Sequence, residues 1–112
     1  MGLTGTTVLR AMRFTLNEDL QTYVVDDEDH CAMNKIVAKG SLRVTSVKTK
    51  KITQSIMIIK DFITGADVAN ALVKCEEFLR NMTWKDPDHM FFEGFGPLRA
   101  GDKEVTVYRW GS

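Results

Sequence analysis

Alternation dominates the first third of the chain. Between residues 7 and 16, Met12, Phe14 and Leu16 share one face, with Arg13 and Thr15 on the other. That period of two predicts a strand. Asn17-Glu18-Asp19 reads as a hairpin loop. Residues 20–25, with Tyr23, Val24 and Val25, return as a second strand. Residues 1–6 are expected to be a mobile end.

Asp26-Asp27-Glu28-Asp29 breaks this pattern, and two readings fit the segment after it. As a helix, the segment is capped by Asp26 or Asp27 and closed by Gly40. As a strand, it puts Ile36, Ala38, Leu42 and Val44 on one face, with Gly40 as a bulge. The strand reading explains more residues. The expectation is a short helical turn at 28–33, then a strand over 34–47. Lys48-Thr49-Lys50-Lys51 is a turn without the Asn-Gly or Asp-Gly signal. Residues 52–62 form the next strand. Ile52, Ile56 and Ile58 share one face and Met57 and Ile59 the other, so its far half is expected to be covered on both sides.

The period then changes. Val68, Ala71, Leu72, Cys75, Phe78, Leu79 and Met82 recur at spacings of three and four, predicting an amphipathic helix over 65–82. Thr64 caps it, and Asp67, three residues on, imitates a capping box. Pro87 marks a loop over 84–88. A last hairpin is expected, from residues 90–95 through Gly96-Pro97 and Ala100-Gly101-Asp102 to residues 104–110. The fold class is therefore α+β: an antiparallel meander of order β-β-β-β-α-β-β, with one main helix packed on one face.

Length changes this picture little: 112 residues suit a single domain, 1–112. The terminal Gly111-Ser112 has the look of a cloning remnant and carries no weight. No stretch approaches the roughly 20 apolar residues of a membrane helix. Residues 1–16 lack the apolar core of a secretion signal. Cys31 and Cys75 read as reduced thiols of a cytoplasmic protein rather than a disulfide framework.

Charge changes it more. The formal net charge is zero, but its placement is segregated. Residues 17–30 carry Glu18, Asp19, Asp26, Asp27, Glu28 and Asp29 and no Lys or Arg. Residues 31–60 carry Lys35, Lys39, Arg43, Lys48, Lys50, Lys51 and Lys60 and no acid. On a strand, Lys35, Lys39 and Arg43 take one side and the apolar even positions the core. A basic sheet face with Lys48, Lys50 and Lys51 at a hairpin tip is a candidate surface for a single-stranded nucleic acid. Tyr23, Tyr108 and Trp110 are candidate stacking rings. Against this stand the plain reading of a solvated face with edge-blocking lysines and the opposing field of the acidic segment.

The same asymmetry supports a homo-oligomer, with acidic 17–30 of one subunit meeting basic 31–60 of another. The late aromatics Phe91, Phe92, Tyr108 and Trp110 are the candidate interface of a protein–protein or self-assembly module. Enzymatic chemistry has little to stand on. There are two histidines, no serine in a nucleophile elbow, and Gly94-Phe95-Gly96 lacks the rest of a phosphate loop. Asp26, Asp27, Asp29 and His30, echoed by Asp86, Asp88 and His89, match no metal-site spacing. No metal or cofactor is expected.

Overall fold

The computed structural model describes residues 12–25, 33–49, 51–82, 90–92, 98–100 and 103–108. The strands are β1 (Phe14–Leu16), β2 (Tyr23–Val25), β3 (Ile36–Thr49) and β4 (Ile52–Thr64). Helix α1 (Gly65–Met82) comes next, then β5 (Phe91–Phe92), β6 (Leu98–Ala100) and β7 (Glu104–Val107). The class is α+β. The strands form two sheets, one of order β2-β1-β5 and one of order β4-β3-β7-β6.

The long β3–β4 hairpin is the frame. Leu42 lies opposite Ile58 and Val44 opposite Ile56; Leu42 and Val44 are buried in the core, and the partly buried Ile56 and Ile58 pack against it. Alternation sends their neighbours to the opposite face. Three irregularities interrupt the pairing, the last of them between Val47 and Thr49 near the hairpin turn. Between Ile36 and Ala38 the hairpin gains a residue in β3, so both Val37 and Ala38 are buried and Ile36 is exposed, against the expected parity. Gly40 stands beside the second irregularity with φ +84, a conformation in which a side chain is strained. An irregularity is there as expected, but its extra residue lies in β4, where Asp61 and Phe62 stand against Lys39, and not at the glycine itself.

Helix α1 begins with no loop after β4. Thr64 is the last strand residue and also the cap. Its N–H donates to Asp67 Oδ2 at 2.9 Å, and the Asp67 N–H donates back to Thr64 Oγ1 at 3.4 Å. This is the expected capping box, with Asp in the Glu position. Lys60 Nζ, 2.9 Å from Asp67 Oδ2, ties the junction to β4, and Gly65 N–H donates to the Lys35 carbonyl at the start of β3. The helix is thereby folded back onto one face of the sheet. Val68, Ala71, Leu72, Cys75 and Leu79 are buried as the stripe predicts, but Phe78 and Met82 are exposed. The sheet does not extend under that edge of the helix end.

The remaining strands depart from a meander. β7 joins β3 in parallel, Val44 opposite Val105 and Ser46 opposite Val107. β6 pairs antiparallel with β7. β5 pairs instead with β1, where Phe92 stacks on Phe14 with centroids 4.8 Å apart. The expected hairpin of 90–95 with 104–110 is therefore replaced by β6–β7, and the four-stranded sheet is mixed. The β1–β2 hairpin forms as expected. Its loop is longer, because Leu20 adopts φ 57 and buries itself while Asp19 accepts from the Gln21 and Thr22 N–H groups. The expected strand over 7–11 and helical turn over 28–32 lie outside the described residues.

The cap carries a testable consequence. Burial alone would raise the Asp67 carboxyl, but the Thr64 N–H, the Lys60 ammonium and the Thr64 hydroxyl outweigh it and hold it below its ordinary 3.8. A carboxylate lowered in the folded state stabilises fully above that ordinary value, and the contribution is lost as pH falls through the folded one. Thr64→Ala is expected to lower stability by about 1 kcal/mol in urea unfolding at neutral pH. Asp67→Asn is expected to flatten the loss of stability below pH 3.8.

Candidate functional site

Two clusters stand out: one buried between helix and sheet, one exposed on the opposite face. The buried cluster holds the hydroxyl, thiol and carboxyl groups that chemistry would need. Ser46 Oγ donates to Glu76 Oε2, and Arg80 Nε donates to Glu76 Oε1 at 2.8 Å. Arg80 Nη1 also reaches Met90 Sδ at 2.9 Å, and Cys75 Sγ lies 3.9 Å from the Val44 carbonyl. Ser46, Glu76 and Arg80 are all buried. Burial, with the Glu76 charge beside it, pushes the Cys75 thiol up to about 12, against the hydrogen bond from the Ser46 backbone. A thiol in that state is a poor nucleophile. Ser46, Glu76 and Arg80 are 1%, 4% and 3% exposed, and the Ser46–Glu76 bond joins β3 to α1. The i,i+4 spacing of Glu76 and Arg80 is the cluster's one signal in the sequence, and a search for segregated charge passes over it.

The exposed cluster lies on the side of the four-stranded sheet that α1 leaves uncovered. Three facing pairs define it: Ser41 with Ile59, Arg43 with Met57, and Thr45 with Ser55. Thr45 and Ser55 hydroxyls meet at 2.7 Å. β7 adds Glu104 beside Arg43 and Thr106 beside Thr45. At one end, Lys39 Nζ sits over the Phe62 ring, 5.6 Å from its centroid, within range of a cation–π contact. Ser41, Arg43, Met57, Lys103 and Glu104 line an open depression of about 390 Å³. Met57, Ile59 and Phe62 are 48%, 81% and 53% exposed. The expectation that both sides of the far half of β4 would be covered is therefore overturned. One helix covers one face.

Lys35, Lys39, Arg43 and Lys51 are exposed and Lys48 is half-buried, while Lys50 lies outside the described residues. They do not form one patch. Lys35 and Lys51 stand at opposite ends of a hairpin roughly 40 Å long at ~3.3 Å per residue. Lys39 and Arg43 belong to the outer face, where Lys103 joins them. Lys103 was not predicted, because only the parallel pairing of β7 brings it there; its carbonyl accepts from the Arg43 N–H at 2.9 Å.

The aromatic candidates divide. Phe92 is a core residue, 2% exposed and stacked on Phe14, so it offers no surface to a partner. Tyr23 is half-buried against Phe14 with centroids 5.0 Å apart. Desolvation, reinforced by the Asp67 charge, raises its phenol above the ordinary value. Tyr108 is exposed. The Phe91 side chain and Trp110 lie outside what is described, as do the acidic and histidine clusters at 26–30 and 86–89. Among the described residues, no three His, Cys, Asp or Glu side chains gather to hold a metal, and no helix is long and apolar enough to cross a membrane.

Comparison of the chain with protein-family models, curated proteins and solved structures gives no match.

The buried cluster predicts two outcomes. Glu76→Ala removes the carboxylate that offsets the buried Arg80 charge and is expected to cost about 3–5 kcal/mol, whereas a paired Glu76→Leu, Arg80→Met replacement costs far less; denaturant melts compare them. In a Cys31→Ser background, Cys75 is expected to resist a thiol reagent at pH 8 until the protein is unfolded, with reaction rate the readout.

Proposed function

We propose that this is a non-enzymatic binding protein that holds a single-stranded nucleic acid across the outer face of its four-stranded sheet. The observation that carries the reading is the composition of that face. Exposed cations (Lys39, Arg43 and Lys103) surround exposed apolar and aromatic surface (Met57, Ile59 and Phe62) on a sheet that nothing described covers. Cations neutralise phosphates, and flat apolar or aromatic surface accepts unstacked bases without demanding a sequence. Phe62 takes the stacking role in place of Tyr23, whose ring is half-buried against Phe14.

Glu104 works against a polyanion on the same face. Its position beside Arg43 favours a modest, salt-sensitive affinity over tight binding. The alternative of an aromatic protein–protein interface at the C-terminal hairpin has lost Phe92 to the core.

The test is a salt titration of binding to a single-stranded oligonucleotide. Three phosphate contacts give a log–log slope of about −2 at ~0.7 per contact, and Arg43→Ala is expected to reduce its size by ~0.7. Glu104→Gln is expected to tighten binding. Absence of binding at low salt, or a slope unchanged by Arg43→Ala and Lys39→Ala, would sink the reading.

A further inference from the structure

The backbone edge of β4 is a surface that the proposed binding face leaves unused. β4 ends the four-stranded sheet, with β3 as its strand partner among the described residues. An edge strand presents a row of unpaired N–H and C=O groups, and proteins usually blunt it with charge, proline, bulges or cover. Here 27% of the whole chain is charged, yet residues 54–59, Gln-Ser-Ile-Met-Ile-Ile, carry no charge and no proline. The irregularity that twists β4 lies beyond Lys60, so the uncharged stretch is regular strand. On its outer face stand Met57 and Ile59, the latter the most exposed of the large apolar side chains described.

We propose that two copies of this chain pair antiparallel through β4, about a two-fold axis at Ile58, to make one continuous eight-stranded sheet. An axis normal to the sheet keeps each residue on its own face, so opposed residues have numbers of equal parity. With the axis at Ile58, Met57 of one copy lies opposite Ile59 of the other, and the pair occurs twice. The four apolar side chains then lie side by side across the seam, and their tops stay on the outer face that the proposed binding uses. Moving the axis to Met57 puts Ile59 opposite Ser55, and moving it to Ile59 puts Met57 opposite Asp61. On the outer face the Ile58 register is therefore the one that gives both Met57 and Ile59 an apolar partner; on the helix side it sets Ile58 opposite itself and Ile56 opposite Lys60. A zero formal net charge leaves no global repulsion between copies. A foreign strand could use the backbone groups but not this reciprocal match, which is why a second copy is the occupant. Both helices would lie on the same side of the joined sheet, and the two outer faces would become one.

Light scattering on the full chain without nucleic acid tests this independently of the binding reading. The expected mass is twice that of the chain. Met57→Lys with Ile59→Lys sets ammonium against ammonium on both sides of the axis, and the mass is expected to halve. Met57→Glu with Ile59→Lys pairs opposite charges across the axis, and the dimer is expected to return. Both positions are exposed, so an unchanged circular dichroism spectrum and melting point separates lost pairing from lost folding. A single-chain mass at every concentration, an open-ended assembly, or a dimer that both double variants leave intact overturns the proposal. A wild-type dimer with both double variants monomeric overturns the Ile58 register.

Discussion

The direct junction of β4 and α1 at Thr64 constrains everything else. No loop separates strand from helix, so the reciprocal Thr64–Asp67 bonds set the direction in which α1 leaves. Lys60 and the Lys35 carbonyl fix that direction against the hairpin. The helix must fold back over one face of the β3–β4 hairpin. Leu42, Val44, Val68, Leu72 and Leu79 are buried there because they share that interface. Ser46 of β3 then meets Glu76, which Arg80 of the same helix already holds. A buried ion pair of this kind adds little stability over apolar residues; the bond that depends on where the helix docks is the one from Ser46 to Glu76.

The same constraint explains the exposed side. One 18-residue helix covers one face of a four-stranded sheet and leaves the other to solvent. Met57, Ile59 and Phe62 remain exposed for that reason, and Arg43, Lys39 and Lys103 share their surface. The functional reading and the pairing through β4 draw on this one fact. The four-stranded sheet has a face covered by α1 and a face left open among the described residues, and the proposed binding belongs to the second.

Local signals are legible in the sequence. The capping box, the helix stripe, the irregularity beside Gly40 and the β1–β2 hairpin each depend on residues within a few positions of one another. The features that escape it are non-local. β7 is four residues long, and nothing within it says that it will run parallel to β3. β5 goes to β1 because Phe92 finds Phe14, far away along the chain. The parity of Ile36 comes out wrong because a bulge shifts the alternation without leaving a compositional mark. The site divides in the same way. Lys39 and Arg43 are visible as the exposed side of a strand. Met57 and Ile59 look buried from sequence, because whether a second layer covers a sheet is decided by elements elsewhere.

A residue-resolved NMR map of the surface touched by a single-stranded oligonucleotide addresses the open face most directly. Shifts at residues 39–45, 57–62 and 103–106, with the exposed helix positions Asn70, Lys74 and Phe78 silent, are the expected result. Shifts centred on the exposed side of α1 or on Tyr108, with the outer sheet face silent, would contradict it.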